Sequence, residues 1–214
     1  MNIINLKNKI IKSEDKIFDF FKEPKQKNHF KYYFYITKNF KQGKIDDEFK
    51  RKYKYFYVMD RAGLTRPDHF NEYFKLLKKK ETSLAVILKK LYKIPRQTGD
   101  NALFLSFASK LMHTINNKLP IYDRNISAIL DLPKTKDNNL NLEQKIDQRI
   151  KIYNELKYKF NKLLNDKKVL SLVNSLRIKF KQFSKDNKEF EWNNKLINNT
   201  KLLDSILWAS YQID

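Results

Sequence analysis

Apolar residues recur at helical spacing along most of the chain. In residues 46–59, 65–80, 142–165, 167–183 and 194–211, apolar side chains return every three or four positions and polar ones lie between them, the pattern of amphipathic helices. The 214 residues include only 3 Gly and 5 Pro, which argues against a β-rich fold with many tight turns. The pattern predicts an all-α protein of about eight helices.

Some segments need a second criterion. Residues 30–40, FKYYFYITKNF, are rich in aromatic and β-branched side chains, which suits either a strand or a buried helix; we favour the helix. Ser13, Thr65 and Asp100 are predicted N-caps of the helices that follow them. Residues 132–139, LPKTKDNN, form a polar connector. The prediction is one helical domain over residues 1–214, or two lobes that meet at this connector with a cleft between them.

Residues 101–131, NALFLSFASKLMHTINNKLPIYDRNISAILD, are the least charged stretch of the chain. They predict an apolar helix over residues 102–115, a turn over residues 116–120 and a second helix opened by Asp123. Lys110 interrupts the apolar helix. Charged side chains are rarely buried without a partner, so Lys110 and Asp123 are candidate functional residues.

Two interpretations of this pair are open. A lysine becomes a nucleophile when desolvation or nearby positive charge lowers its pKa, and Asp123 could converge on Lys110 across the turn. In that case we expect both residues to be catalytic. Alternatively, Lys110 extends to solvent and Asp123 only caps a helix.

Charge directs attention to a polyanionic partner. The chain has 45 Lys and Arg against 24 Asp and Glu, a formal net charge of +21, and nucleic acid is the leading partner for such a surface. The alternative is a composition rich in Lys, Asn and Ile that reflects codon usage alone.

Cations and aromatic rings are interleaved around the central stretch, as a nucleic-acid site requires, because phosphates need cations and an extruded base needs aromatic faces. The predicted phosphate contacts are Lys50, Arg51, Lys52, Lys54, Lys89, Lys90, Lys93, Arg96 and Arg124. The predicted base-pocket residues are Phe107, His113 and Tyr122. The alternative places the aromatic rings in the core and the lysines on a solvated face.

Several classes of site are disfavoured. The chain has no Cys and only 3 His, which excludes disulfides and thiolate metal sites and disfavours a His-rich metal centre. The N-terminus has no apolar signal segment, and no apolar run approaches the roughly 18 residues needed to span a bilayer. We therefore expect a cytoplasmic protein with no metal, no cofactor and no membrane partner, and leave the oligomeric state open.

Residues 106–126, SFASKLMHTINNKLPIYDRNI, resemble the core of the helix-hairpin-helix DNA glycosylase superfamily, and more closely the small proteins with an 8-oxoguanine DNA glycosylase fold. In the superfamily a catalytic lysine is followed by a proline, an apolar residue and a catalytic aspartate that opens a helix. Lys110 matches the lysine, and Pro120 to Asp123 are similar to the proline-to-aspartate segment. The C-terminal KLLDSILW is similar to the tail of the small proteins. The G-x-G hairpin of the superfamily is missing, since no Gly precedes Lys110 after Asp100.

The resemblance implies a helix-hairpin-helix glycosylase-like fold and a DNA glycosylase, with an associated lyase activity if Lys110 attacks the sugar and without one if water does. Its partner would be duplex DNA with a modified base, from which one nucleotide flips into the protein. Asp123 would stabilise the developing sugar cation, and Lys110 would attack the anomeric carbon. The alternative function is a non-catalytic nucleic-acid-binding or interaction protein of a defence or mobile-element system.

Overall fold

The computed structural model describes residues 3–26, 28–59 and 66–213. Within these ranges all regular secondary structure is helical, which confirms the prediction of an all-α protein. The eleven helices of the described ranges are α1 (Ile3–Lys12), α2 (Glu14–Lys22), α3 (His29–Lys41), α4 (Asp47–Phe56), α5 (Pro67–Lys78), α6 (Leu84–Tyr92), α7 (Leu105–Ile115), α8 (Arg124–Ile129), α9 (Leu142–Leu164), α10 (Lys167–Asp186) and α11 (Asn199–Gln212). In the same ranges no helix is long and apolar enough to cross a membrane.

Helix starts follow local capping chemistry in most places. Asp46 accepts a hydrogen bond from the Phe49 N–H at 2.8 Å and opens α4, and Asn141 forms a capping box with Gln144 at the start of α9. Such side chains satisfy backbone N–H groups that have no partner inside the helix. Ser13 precedes α2 as predicted, although its side chain makes no capping bond.

Two of the predicted boundaries need correction. The prediction that Asp100 caps the central helix is wrong, because α7 begins at Leu105 and the Asp100 carboxylate instead binds the guanidinium of Arg96. The last helix begins at Asn199, where Asn198 caps it, and not at residue 194. The predicted cap Thr65 lies outside the described residues. Residues 30–40 lie within α3, so the helical interpretation of that segment is confirmed.

Helix α11 lies at the centre of the packing. It contacts α1, α2, α8, α9 and α10, while α7 packs against α3, α5 and α6, and α3 packs against α4. The buried apolar residues form one cluster that extends from α1 to α11. The first two helices therefore pack on the last two, and both ends of the described chain converge on one core.

The connector at residues 132–139 is fixed to α9. The side chain of Gln148 in α9 accepts a hydrogen bond from the Lys136 N–H at 3.2 Å and donates one to the Lys136 carbonyl oxygen at 3.1 Å. Asp137 forms an ion pair with the buried Arg149 of the same helix. These bonds fix the path of the chain between α8 and α9.

Candidate active site

Helices α3, α4, α7 and α11 surround a pocket of about 570 Å³. Lys110 of α7 and Asp123, the residue before α8, both line it. The remaining walls include His29 and Tyr32 of α3 and the C-terminal end of α4. The structure thus brings together the two residues that the sequence identified as candidates. We call this space the Lys110 pocket.

The turn between α7 and α8 is held from three sides. The Ser109 hydroxyl accepts a hydrogen bond from the Tyr122 N–H at 2.9 Å, and the Tyr153 hydroxyl of α9 donates to the Pro120 carbonyl at 3.1 Å. The Asn198 amide donates to the Asn117 carbonyl at 2.7 Å. Because α7, α9 and the N-cap of α11 all bind the turn, the position of Asp123 relative to Lys110 is fixed by the fold.

Lys110 is held at the end of α4. Its Nζ donates a hydrogen bond to the Tyr57 carbonyl oxygen at 3.2 Å and lies 4.9 Å from the centroid of the Phe107 ring. Burial lowers the pKa of Lys110 to about 8, and the positive charge of Lys201 acts in the same direction, while Asp123 and Asp204 oppose them. A lysine with this pKa has an appreciable neutral, nucleophilic fraction near neutral pH.

Asp123 caps α8 and also lines the Lys110 pocket. Its Oδ1 accepts a hydrogen bond from the Ile126 N–H at 2.8 Å, whereas its Oδ2 makes no hydrogen bond within the described residues. Burial raises the pKa of Asp123, and the Ile126 N–H opposes that rise. In the described part of the chain no ion pair joins Asp123 to Lys110, although the negative charge of Asp123 acts to raise the pKa of Lys110. Capping and a chemical role are therefore compatible in one carboxylate.

Helix α11 contributes a buried ion pair that sequence reasoning did not assign. Lys201 Nζ lies 2.6 Å from Asp204 Oδ2, and the two residues are only 3% and 5% exposed. Both line the Lys110 pocket. The signal in the sequence is a Lys and an Asp three positions apart within an otherwise uncharged helix, because charged side chains are rarely buried unless they pair.

Aromatic rings form one wall of the Lys110 pocket. The His29 ring stacks on Trp208 with centroids 5.5 Å apart and an interplanar angle of 16°, and His29 Nε2 lies 3.3 Å from the Ser205 hydroxyl. Burial, together with the charge of Lys201, holds the pKa of His29 well below its usual value. The wall therefore consists of neutral flat rings, which suits a planar ligand.

The three predicted base-pocket residues lie elsewhere than on the described lining of the Lys110 pocket. Phe107 is buried beneath Lys110, and Tyr122 is half-buried in the turn. His113 is buried, with Nδ1 2.6 Å from the Leu119 carbonyl oxygen and Nε2 3.3 Å from the Tyr33 hydroxyl. It lines a separate cavity of about 310 Å³, and both of its ring nitrogens bind groups of the core.

The predicted phosphate contacts are divided between the pocket and the wider surface. Lys54 lines the Lys110 pocket, and Arg51, Lys93 and Arg124 are exposed. The others form ion pairs with carboxylates: Lys50 with Asp47, Lys52 with Glu48, Lys89 with Glu143, Lys90 with Glu72, and Arg96 with Asp100. Ion pairs at exposed sites are weak, so these cations can still exchange a carboxylate for a phosphate.

The Lys110 pocket offers amine, carboxylate and aromatic groups. Across the described ranges, His, Asp and Glu side chains do not gather in groups of three or more that could hold a metal ion. What the pocket supplies is an amine of lowered pKa, a carboxylate on the opposite side of a fixed turn, and flat rings for a planar ligand. Comparisons of the chain with known protein families, with curated proteins and with solved structures found no match.

Proposed function

We propose that this protein binds DNA and excises a modified base, with Lys110 and Asp123 as the reacting pair. The observation that carries the proposal is their convergence on one pocket, together with the lowered pKa of Lys110. The pocket volume of about 570 Å³ lies within the range of small-ligand sites. A helix that carries Lys110, a fixed turn and a second helix opened by Asp123 also support the helix-hairpin-helix glycosylase-like fold that the sequence resembles.

Binding begins with extrusion of one nucleotide from the duplex. The aromatic wall formed by His29 and Trp208 gives the extruded base a flat surface on which to stack, and such stacking contributes to base recognition in enzymes that flip bases. Lys54, at the edge of the Lys110 pocket, supplies a positive charge for a neighbouring phosphate. The pocket thereby receives a base while the backbone stays at its rim.

The chemical step is a displacement at the anomeric carbon of the sugar. The neutral amine of Lys110 forms a bond to this carbon as the N-glycosidic bond breaks, and the base leaves with the bonding electron pair. The proton that the new secondary ammonium gives up can pass to the departing base. Asp123 stabilises the positive charge that develops on the sugar. The electron pair of the nitrogen then displaces the ring oxygen from the anomeric carbon, and this oxygen takes a proton from water. The product is a Schiff base, from which strand cleavage can follow.

The buried pair on α11 sets the electrostatics of this step. Lys201 favours the neutral, nucleophilic form of Lys110, whereas Asp204 favours its protonated form. Because the pair is nearly neutral as a unit, it places opposite charges beside the reaction without adding a net charge to a buried site.

The proposal is tested by trapping the covalent intermediate. The protein is incubated with duplexes that each contain one modified base, and borohydride is added to reduce any Schiff base. We expect an adduct on at least one duplex, its loss in Lys110→Met, and its retention in Lys118→Met, a matched change at an exposed lysine in the adjacent turn.

Two results would overturn the assignment. One is undiminished base release by a folded Lys110→Met variant together with undiminished release by Asp123→Asn. The other is DNA binding without release of any base across the panel, which is the outcome that a non-catalytic nucleic-acid-binding protein predicts.

A further inference from the structure

A second concave surface lies between α4 and α5, with a volume of about 830 Å³. Five lysines line it: Lys50, Lys54, Lys75, Lys78 and Lys79. The only carboxylate on its described lining is Asp47, which forms an ion pair with Lys50 at 2.7 Å. We call this surface the α4–α5 groove, and its excess of cations makes it a site for a polyanion.

The floor of the α4–α5 groove is apolar and shapes the arrangement of the cations. Phe70 and Phe74 of α5 line it together with Pro67. Lys54 Nζ lies 4.6 Å from the centroid of the Phe70 ring, which holds the ammonium by a cation–π contact. Lys75, Lys78 and Lys79 are exposed on the other side. The groove therefore combines five lysines with two aromatic rings, and cations and aromatic rings are the groups that bind the phosphates and bases of a nucleic-acid strand.

The α4–α5 groove and the Lys110 pocket share Lys54. This residue lines both surfaces, because α4 separates them and Lys54 lies in its last turn. A ligand that occupies the groove therefore extends to the edge of the pocket. This continuity favours a nucleic-acid strand that enters the pocket as the ligand, rather than an acidic peptide bound elsewhere on the surface.

We propose that the α4–α5 groove binds the sugar–phosphate backbone of the strand next to the nucleotide held in the Lys110 pocket. The inference rests on the proposed function for the identity of the polyanion. The lining residues of α5 and its C-cap extend from Pro67 to Lys79, about 18 Å at 1.5 Å per residue. Each of the five lysines of the groove can contact one phosphate of the strand.

The test compares two variants that lose the same charge. In the groove variant, Lys50, Lys75, Lys78 and Lys79 are replaced by Gln, while Lys54 is kept because it also lines the pocket. In the control variant, the exposed Lys167, Lys181, Lys185 and Lys188 on and beside α10 are replaced by Gln. Binding of one unmodified duplex is measured by fluorescence anisotropy between about 50 and 200 mM salt.

The expected result is specific to the groove. The slope of log affinity against log salt should become shallower by about 3 to 4 in the groove variant, since each lost phosphate contact changes it by roughly 0.9. In the control variant we expect a change of less than about 1 in the slope.

Failure of this inference can be told apart from failure of the proposed function. Equal slopes in the groove and control variants would overturn the groove, even if the wild-type protein released a base. The groove would also be overturned if the groove variant kept the wild-type slope for DNA but no longer bound polyglutamate. That result would identify an acidic peptide as the ligand. A shallower slope only in the groove variant, with no base release by any form of the protein, would support the groove and refute the excision.

Discussion

Lys110 Nζ lies 3.2 Å from the carbonyl oxygen of Tyr57, the C-cap residue of α4. The last carbonyl groups of a helix have no partner within the helix and carry a partial negative charge. The end of α4 therefore holds the amine of Lys110 when the amine is protonated and sets its direction towards the pocket. The neutral amine retains N–H groups that can donate to this carbonyl, and its electron pair becomes available for the proposed attack.

The first prediction concerns the pH dependence of base release. Since the pKa of Lys110 is lowered to about 8, the neutral amine increases as the pH rises through that value, and single-turnover base release should increase until about pH 9. Lys201→Met removes a charge that lowers the Lys110 pKa, so the midpoint should move to higher pH. Asp204→Asn removes a charge that raises it, so the midpoint should move to lower pH.

The control for these shifts is Lys118→Met, which changes an exposed lysine and should leave the midpoint unchanged. Rates are measured with the protein in saturating excess over the DNA, so that weaker binding does not enter the midpoint. An identical midpoint in the wild-type protein and in both α11 variants would contradict the role given to the Lys201–Asp204 pair.

The second prediction separates the charge of Asp123 from its capping bond. Asp123 accepts from the Ile126 N–H at 2.8 Å, and Asn caps helices about as well as Asp. Asp123→Asn should therefore have the wild-type free energy of unfolding but should not release the base. Asp123→Ala should also fail to release the base, and its free energy of unfolding should be lower by about 1 kcal/mol. Urea unfolding and single-turnover base release on the same preparations check the two expectations, and base release by a folded Asp123→Asn would argue for capping alone.

The third prediction compares two buried tyrosines, Tyr53 within α4 and Tyr57 at its C-cap. Among the described residues, the Tyr57 hydroxyl is buried and makes no hydrogen bond of normal geometry. The Tyr53 hydroxyl, in contrast, lies 2.9 Å from that of Tyr73 and 3.0 Å from that of Thr114. Removal of an unsatisfied buried hydroxyl is neutral or stabilising, while loss of a satisfied one costs about 1 kcal/mol. We expect Tyr57→Phe to match or exceed wild-type stability and Tyr53→Phe to fall below it in thermal and urea unfolding. The reverse order would be inconsistent with this hydrogen-bond pattern.

Much of the fold follows from local signals in the sequence. The apolar stripes place α4 and α9 to within a few residues, and Asp46 and Asn141 cap these helices in the structure. The prediction for Asp100 is wrong because a carboxylate at this position can bind either a helix N-terminus or the guanidinium of Arg96, and it binds the guanidinium. A charged partner four residues away gives a stronger hydrogen bond than a backbone N–H, and sequence alone does not reveal which partner is in reach.

The candidate site is predictable only in part. Lys110 and Asp123 can be found because ionisable residues in an apolar stretch are unusual. The contact between His29 and Trp208 joins the first residue of α3 to α11, and no local sequence pattern predicts it. His113 is placed in the core because its ring nitrogens reach Leu119 and Tyr33, and the second of these partners lies on another helix.

The last prediction concerns acid stability and follows from the buried His113. Burial, with a contribution from Lys201, lowers the pKa of His113 to about 3, whereas an exposed histidine titrates near 6.5. Between these values the unfolded chain binds a proton that the native protein does not bind. The free energy of unfolding should therefore be highest above pH 6.5 and should fall, through this residue, by up to about 1.4 kcal/mol per pH unit as the pH falls towards 3.

Substitutions at His113 and at its neighbour Tyr33 distinguish the titration of the imidazole from its packing. His113→Gln removes the titrating group, so its stability should depend less steeply on pH between about 4 and 6 than that of the wild-type protein. Tyr33→Phe removes the hydroxyl that lies 3.3 Å from His113 Nε2 but keeps the imidazole, so its curve should lie below the wild-type curve and stay parallel to it. Urea unfolding at a series of pH values measures both curves. Parallel curves for all three proteins would mean that His113 does not couple acid to unfolding, whereas a flattened curve for His113→Gln alone would place a neutral imidazole in the native core.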